Sequence, residues 1–264
     1  MITFGSLFAG IGGFDLGFER AGIACKWQVE IDDFASKVLA KHWPDVHRER
    51  DILQCGGHNL EPVDVICGGF PCQDISYAGR GAGLDGERSR LFFEAVRVVC
   101  ELQPRCVVLE NVAALLSRGL DRVLGTLAEI GYDAEWHCIP AAAVGAPHER
   151  ERYFIVAYAG GVGICGRGTD NETQHPNPIL QRGGRDGDEF CETGSRSVET
   201  RSNSKRAVSA RWRPEPDVGR VAHGVPGRVD RIRGLGNAVV PQVAEFVARE
   251  FVLPMFQSEY TECT

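Results

Sequence analysis

The sequence lacks any long apolar run. None of its stretches approaches the roughly 20 apolar residues that a membrane-spanning helix needs. Its start, Met1–Gly5, also lacks the basic residues and the small-residue cleavage site of a secretory signal peptide. We therefore expect a cytoplasmic protein without a membrane partner, and we expect it to be a monomer.

Closely spaced cysteine pairs are absent as well. The chain has 10 cysteines, but none of them forms a Cys-x-x-Cys pair. Structural zinc sites need such pairs, and disulfide frameworks belong to small secreted domains. We therefore expect no metal, and most of the thiols should be reduced and buried as small apolar groups.

A general excess of basic charge is missing, since the formal net charge is −7. Residues 160–234 nevertheless hold 13 Lys and Arg against 10 Asp and Glu, whereas the rest holds 16 against 26. A surface that faces phosphates would thus be local to this one segment. Mixed charge of this kind is also typical of a solvated loop.

The first 159 residues alternate between strand-like and helix-like stretches. Apolar residues recur at helical spacing in 89–100 and 120–130, and again in a closing helix over 240–251. Short runs typical of strands are Ile2–Leu7, Ala24–Glu30, Val63–Cys67, Cys106–Glu110 and Tyr153–Ala159. The alternation predicts an α/β fold with a mostly parallel sheet, in which ligands bind at the carboxyl ends of the strands.

Composition changes after Ala159. From Gly160 to about Asp217 the chain is rich in Gly, Arg, Ser, Thr and Asp and has few periodic apolar positions. We predict a main domain over 1–159, a small inserted lobe over 160–222 and a return to the main domain over 223–264. Disorder is an equally good interpretation for parts of the lobe.

A glycine-rich loop, Leu7–Phe14, follows the first strand and lets the backbone approach a ligand closely. Asp15 stands where Gly-x-Gly-x-x-Gly requires glycine, which disfavours a pyrophosphate-binding nicotinamide site. Glu30 ends the second strand, where a carboxylate can bind both hydroxyls of a ribose. Asp51 and Ile52 follow what should be the third strand of the sheet, located between the runs Ala24–Glu30 and Val63–Cys67. This set indicates an adenosine-containing cofactor without a diphosphate.

The run Gly69-Phe70-Pro71-Cys72-Gln73 follows the strand Val63–Cys67. Its glycine and proline predict a tight loop that holds Cys72 at the edge of the sheet. A thiol in this place becomes a nucleophile if positive charge or a helix N-terminus favours its thiolate. The alternative, a buried structural cysteine, is the better interpretation for Cys67.

Charged residues accompany two further strands. Glu110 leaves an apolar strand, and a glutamate in a cleft there is a candidate acid with a raised pKa. Arg150 and Arg152 are two residues apart, so in an extended chain they share a face. The alternative for them is a surface pair that forms ion pairs with Glu149 or Glu151.

Taken in order, these motifs resemble the DNA (cytosine-5)-methyltransferase family from Thr3 to about Val247, apart from the inserted lobe. The resemblance implies a Rossmann-like S-adenosylmethionine-dependent methyltransferase fold. His148 stands where many members have Gln, and the tail from about Arg220 to Glu245 is similar to short phage or prophage members. The resemblance implies cofactor contacts from Phe8, Gly10, Ile11, Gly12, Glu30, Ile31, Asp51, Ile52, Pro71, Leu91, Asn237 and Ala238. It implies catalytic roles for Cys72, Glu110, Arg152 and Arg150.

The implied reaction is transfer of a methyl group from S-adenosylmethionine to carbon 5 of a cytosine flipped out of double-stranded DNA. The inserted lobe would then recognise the target, and its basic residues would contact phosphates or guanines. Those residues are Arg182, Arg185, Arg196, Arg201, Lys205, Arg206, Arg211 and Arg213. Three alternatives stay open: a tRNA cytosine-5 methyltransferase, a catalytically idle DNA-binding module, and a nicotinamide oxidoreductase.

Overall fold

The computed structural model describes residues 1–71, 90–160 and 228–257. Within these ranges the chain forms one seven-stranded sheet in the order β3-β2-β1-β4-β5-β7-β6. The strands are β1 Thr3–Leu7, β2 Ala24–Val29, β3 His47–Glu49, β4 Val65–Gly69, β5 Cys106–Asn111, β6 Tyr132–Pro140 and β7 Glu151–Ala159. β1 to β5 pair in parallel, whereas β7 lies antiparallel to both β5 and β6. The predicted α/β fold with a mostly parallel sheet is confirmed.

Helices cover both faces of this sheet. They are α1 Gly13–Arg20, α2 Asp33–His42, α3 Arg90–Leu102, α4 Leu115–Arg118, α5 Leu120–Glu129, α6 Arg228–Asn237, α7 Pro241–Val247 and α8 Leu253–Gln257. Short 3-10 turns cover Ile52–Gln54 and Ala141–Val144, and a π-helical segment, Ala248–Val252, joins α7 to α8. In the described part of the chain, no helix is long and apolar enough to cross a membrane.

Local sequence explains where two of the helices form. Asp32 precedes α2, and its side chain accepts a hydrogen bond of 2.9 Å from the backbone N–H of Ala35, which caps the helix. Along α3, Phe92, Ala95 and Val99 repeat at helical spacing and are buried. The helix therefore presents one apolar face to the sheet.

The sheet separates two apolar cores. On one face, α3 and α5 pack over Ile66 and Val107. On the other face, α1, α7 and the π-helical segment pack over Val65 and Val108. Because apolar residues of β4 and β5 are buried on both sides, their sequences are continuous apolar runs.

The five strands predicted from the sequence are present, with ends that differ by two residues or fewer. The sequence did not reveal β6, because Tyr132–Pro140 mixes polar and apolar residues at the edge of the sheet. The single closing helix predicted over 240–251 was wrong in detail, because the π-helical segment interrupts it. The predicted lobe over 160–222 lies outside the described residues, apart from Gly160.

Candidate active site

A cavity of about 340 Å³ opens at the carboxyl ends of β1, β2, β4 and β5, and α6 lies along one side of it. Its volume falls within the roughly 300–1,000 Å³ of small-molecule sites. Eleven of the twelve predicted cofactor contacts line it: Phe8, Gly10, Ile11, Glu30, Ile31, Asp51, Ile52, Pro71, Leu91, Asn237 and Ala238. Of the four residues predicted for the chemistry, Glu110 and Arg152 line the same cavity, whereas Arg150 is not among its lining residues and Cys72 lies outside the described residues.

The glycine-rich loop forms the floor of the cavity with unusual backbone angles. Phe8 has φ 52°, a left-handed backbone conformation that residues other than glycine rarely adopt, and Gly10 has φ 57°. Gly12, the twelfth predicted contact, is not among the lining residues and instead forms the N-cap of α1. A Cβ atom on Gly13 would lie 2.3 Å from the carbonyl oxygen of Val239. Only glycine therefore allows the loop to contact the returning chain, the segment 223–264 that comes back to the main domain.

Two backbone N–H groups hold the Glu30 carboxylate at the cavity. Gly10 donates to Oε2 and Asp32 to Oε1, both at 2.7 Å. Each carboxylate oxygen accepts more than one hydrogen bond, so Glu30 retains acceptor capacity for the hydroxyls of a ligand. The side chain is otherwise buried.

Beside Glu30, the next part of the cavity wall combines apolar and acidic residues. Asp51 accepts a hydrogen bond of 3.0 Å from the N–H of Leu53 and thereby opens the 3-10 turn. Ile52, in that turn, is buried, whereas Ile31 is 68% exposed. Leu91 from α3 completes this wall. An exposed isoleucine beside a carboxylate suits a ligand with a flat apolar ring and a polar sugar.

Glu110 ends β5 in a buried position beside a guanidinium group. Its Oε1 lies 2.9 Å from Nε of Arg152. Burial raises the pKa of Glu110 to about 7, although the charges of Arg152 and Arg150 oppose the shift. The carboxyl group therefore exchanges a proton near neutral pH, as a general acid requires.

The two arginines have different partners. Arg152 pairs with Glu110 through Nε, and its Nη1 donates to the backbone carbonyl of Glu151 at 2.8 Å. Arg150 precedes β7 and donates from Nη2 to the carbonyl oxygen of Ala238 at 2.9 Å. Arg150 thus ties the start of β7 to the returning chain at the cavity, while Arg152 reaches the acid.

The segment before Cys72 is tied to β5. A Cβ atom on Gly69 would lie 2.7 Å from Oε2 of Glu110, so the glycine leaves room for that carboxyl group. Asn111 donates from Nδ2 to the carbonyl oxygen of Phe70 at 3.3 Å. Pro71 lines the cavity, and Cys72, the predicted nucleophile, is the next residue in sequence and lies outside the described residues.

The model of the C-5 cytosine-specific DNA methylase family matches residues 2–199, about three quarters of the chain. The chain belongs to this family. It is 33% identical over 167 residues to the type II methyltransferase M.HhaI of Haemophilus parahaemolyticus, covering 62% of this chain and 51% of that protein. It is 40% identical over 161 residues to M.Eco47II of Escherichia coli, covering 57% and 38%. The chain thus spans about half of the length of the first relative and less than half of the second.

Solved structures agree with this assignment. One, described as a DNA modification methyltransferase encoded within an E. coli prophage, has a TM-score of 0.51 at 29% identity and covers 60% of this chain and 47% of that one. A mutant of Spodoptera frugiperda DNMT2 has a TM-score of 0.52 at 21% identity, covering 65% and 54%, and supports the fold alone.

The sequence did not predict some of the residues that line the cavity of this methylase-family chain. Asp32 and Arg50 stand beside Glu30, and Asp230, Arg233 and Gly234 face the cavity from α6. Arg233 lies 3.9 Å from Asp32 and so links α6 to the start of α2. Among the described residues, no group of three or more His, Cys, Asp or Glu could hold a metal ion.

Proposed function

We propose that this chain transfers a methyl group from S-adenosylmethionine to carbon 5 of a cytosine in double-stranded DNA, through a covalent adduct of Cys72 at C6. The observation that carries the proposal is the pair of Glu110 and Arg152, a buried acid and a guanidinium 2.9 Å apart at one cavity with Glu30. Membership of the methylase family supports the same reaction.

The cavity residues fit an adenosine-containing cofactor. Glu30, held by two backbone N–H groups, would accept hydrogen bonds from the ribose hydroxyls. Ile31 and Ile52 would sandwich the adenine, with Asp51 at its edge. Phe8, Pro71, Leu91 and Ala238 would contribute apolar contacts, while Gly10, Ile11 and Asn237 would contribute backbone or amide contacts. Bound S-adenosylmethionine supplies an electrophilic methyl group.

The remaining chemistry concerns the cytosine ring, whose C5 is a poor nucleophile. The Cys72 thiolate forms a bond to C6, and the ring electrons move toward C5. C5 would then attack the methyl group, and the cofactor sulfur would keep the electron pair of the broken bond. A proton shared between Glu110 and N3 of the ring makes C6 more electrophilic, and Arg152 orients the acid and the ring carbonyl. Water accepts the C5 proton, and departure of the Cys72 thiolate then restores the aromatic ring.

The DNA side of the proposal rests on the sequence. The target carbon cannot be reached inside a duplex, so the cytosine must leave the stack. We assign the reading of DNA to the lobe over 160–222, between β7 and the returning chain 223–264, because residues 160–234 carry a local excess of basic residues. The catalytic and cofactor-binding part is then 1–159 together with the returning chain.

Transfer of labelled methyl groups from S-adenosylmethionine tests the proposal. Duplex DNA and tRNA serve as alternative acceptors for the full chain and for Cys72→Ala. Cys100→Ala is the matched control, because Cys100 is an exposed thiol on α3. We expect label in DNA with the wild type and with the control, and none with Cys72→Ala.

Each other outcome contradicts a defined part of the proposal. Label in tRNA alone overturns the substrate. Normal turnover by Cys72→Ala overturns the nucleophile. Binding of DNA without any transfer would identify an idle module that has kept the fold of the family.

A further inference from the structure

A row of polar side chains crosses the sheet one or two residues before the cavity-lining Val29 and Phe8. Gln28 on β2 is the register partner of Ser6 on β1 and of Arg48 on β3, and Ser6 is the partner of Cys67 on β4. Ser6 and Gln28 are completely buried. Polar residues are uncommon in the interior of a parallel sheet, so this row needs an explanation.

Asp15 from α1 lies over this row and is completely buried. Its Oδ1 accepts a hydrogen bond of 2.7 Å from Nε2 of Gln28, and its Oδ2 accepts one of 3.2 Å from Oγ of Ser6. The thiol of Cys25 lies 3.7 Å from Oδ1. The carboxylate therefore joins α1 to the two strands that carry the cofactor loop and Glu30.

The row continues through Gln28 to β3. Arg48 donates to Oε1 of Gln28 from Nε at 3.1 Å and from Nη2 at 3.0 Å. The same Nη2 donates to the carbonyl oxygen of Trp43 at 2.8 Å. Gln28 is thereby held on both sides of its amide, so its position is fixed by Asp15 and Arg48 together.

Gln28 and Asp15 each stand two residues from a residue that lines the cavity, Glu30 and Gly13 respectively. Gln28 is two residues before Glu30, and in extended chain residues two apart lie on the same face. Asp15 follows Gly13, the last glycine of the loop, by two residues in the first turn of α1. The N–H of Gly10 then closes a ring by donating to Glu30.

This arrangement costs stability, which argues against a purely structural role. Burial raises the pKa of Asp15 to about 6, which means that the folded protein disfavours the carboxylate that it holds at neutral pH. A buried charge in a core is more expensive than an apolar side chain of similar size. Natural proteins typically retain an unfavourable buried group of this kind near a functional site.

We propose that Asp15 is a positioning residue for cofactor binding, acting through Gln28 to hold Glu30 against the N–H of Gly10. The inference rests on the proposed function, since it assumes that Glu30 binds the cofactor. It assigns no contact between Asp15 and the cofactor itself. The donor and acceptor of the hydrogen bond between positions 15 and 28 can be exchanged by the two substitutions Asp15→Asn and Gln28→Glu. The new amide then donates to the new carboxylate, which still accepts from Arg48.

Binding of S-adenosylmethionine measured by calorimetry tests this for the full-length wild type, Asp15→Asn, Gln28→Glu and the double variant. We expect Asp15→Asn to weaken binding about tenfold, because Gln28 then donates to a neutral rather than a charged acceptor. Gln28→Glu should weaken binding at least as much, because it sets two carboxylates against each other. The double variant should return to within about threefold of the wild type. The KM for the cofactor should follow, with kcat at saturation unchanged.

Tyr132→Phe is the matched control. Tyr132 lies on β6, at the far edge of the sheet, and its buried hydroxyl donates to the carbonyl oxygen of Pro104 at 2.6 Å. The substitution should lower the Tm without changing affinity. If Asp15→Asn does not fold, the double variant decides alone. Wild-type affinity in Asp15→Asn, or a folded double variant that binds as weakly as Gln28→Glu, overturns the inference. A wild type that binds no S-adenosylmethionine overturns the proposed function with it.

Discussion

Glu110 gains and loses its proton near neutral pH because burial has a greater effect on its pKa than two nearby positive charges. Arg152 at 2.9 Å and Arg150 both lower the pKa of the carboxyl group, yet it remains raised to about 7. Gly69 contributes by leaving space for Oε2. A carboxyl group in this state can share its proton with a ring nitrogen while Arg152 stabilises the charge that remains.

Glu110→Gln should slow methyl transfer by roughly 10²–10⁴-fold, the contribution of a positioned general acid. The amide keeps the shape and can still donate a hydrogen bond, but it cannot exchange a proton with N3. Single-turnover rates and cofactor affinity should be measured side by side. A variant that loses only affinity for S-adenosylmethionine would show that Glu110 belongs to the cofactor.

The same substitution has a pH-dependent effect on stability. The pKa of Glu110 is about 7 in the folded protein and 4.5 as the ordinary value, so between these values the folded state binds more protons than the unfolded state. The contribution of Glu110 to stability is thus greatest at low pH and decreases as the pH rises through 7. Glu110→Gln lacks this dependence.

Relative to the wild type, Glu110→Gln should therefore gain stability between pH 5 and pH 8, on the order of 3 kcal/mol. Asp15 titrates equally in both proteins, so its effect cancels in the difference. Urea unfolding of the two proteins at both pH values measures it. A difference that stays constant, or that favours the wild type at pH 8, contradicts the raised pKa.

At this scale the sequence supplied the residue types but not their partners. It offered Glu149 and Glu151 as partners for Arg152, because they are adjacent in the chain. The actual partner, Glu110, depends on the pairing of β7 with β5, in which Phe154 lies opposite Glu110. Asp15 entered only as the residue that breaks a glycine motif, and its burial depends on how α1 docks.

Among the elements, helices α1 and α7 pack closely against each other at Gly17. A Cβ atom on Gly17 would lie 2.5 Å from Cβ of Ala244 and 2.6 Å from the carbonyl oxygen of Pro241. α7 follows directly after the cavity residues Asn237 and Ala238. The contact therefore holds the returning chain against the cofactor loop.

Gly17→Ala should destabilise the protein by about 1–3 kcal/mol, because the added methyl group forces the two helices apart. Gly125→Ala is the matched control in α5, since its Cβ would have no atom within 4 Å. That change should stabilise by about 0.5–1 kcal/mol. Denaturant unfolding gives both values, and equal effects of the two substitutions would contradict the close packing.

Elements were predicted well where burial makes the pattern regular. β4 and β5 are covered on both faces, so their apolar runs mark them in the sequence. β6 lies at the edge and is mostly half-buried, and its alternation is correspondingly weak. The π-helical segment cannot be distinguished from an α-helix by apolar spacing over one turn.

For the whole molecule, the parallel part of the sheet explains why one edge carries all of the proposed chemistry. β1, β2, β4 and β5 end at the same edge, so their loops bring together residues that are far apart in sequence. The returning chain closes the site through the contact of Arg150 with Ala238. The same edge would have to receive a flipped cytosine.

Duplex DNA that contains 5-fluorocytosine tests the central claim most directly. A fluorine at C5 cannot leave as the proton does, so after methyl transfer the bond between Cys72 and C6 should persist. With S-adenosylmethionine we predict a protein–DNA complex that survives denaturing electrophoresis, forms with Cys100→Ala and is absent with Cys72→Ala. Methyl transfer to ordinary cytosine without any such complex would contradict the covalent mechanism.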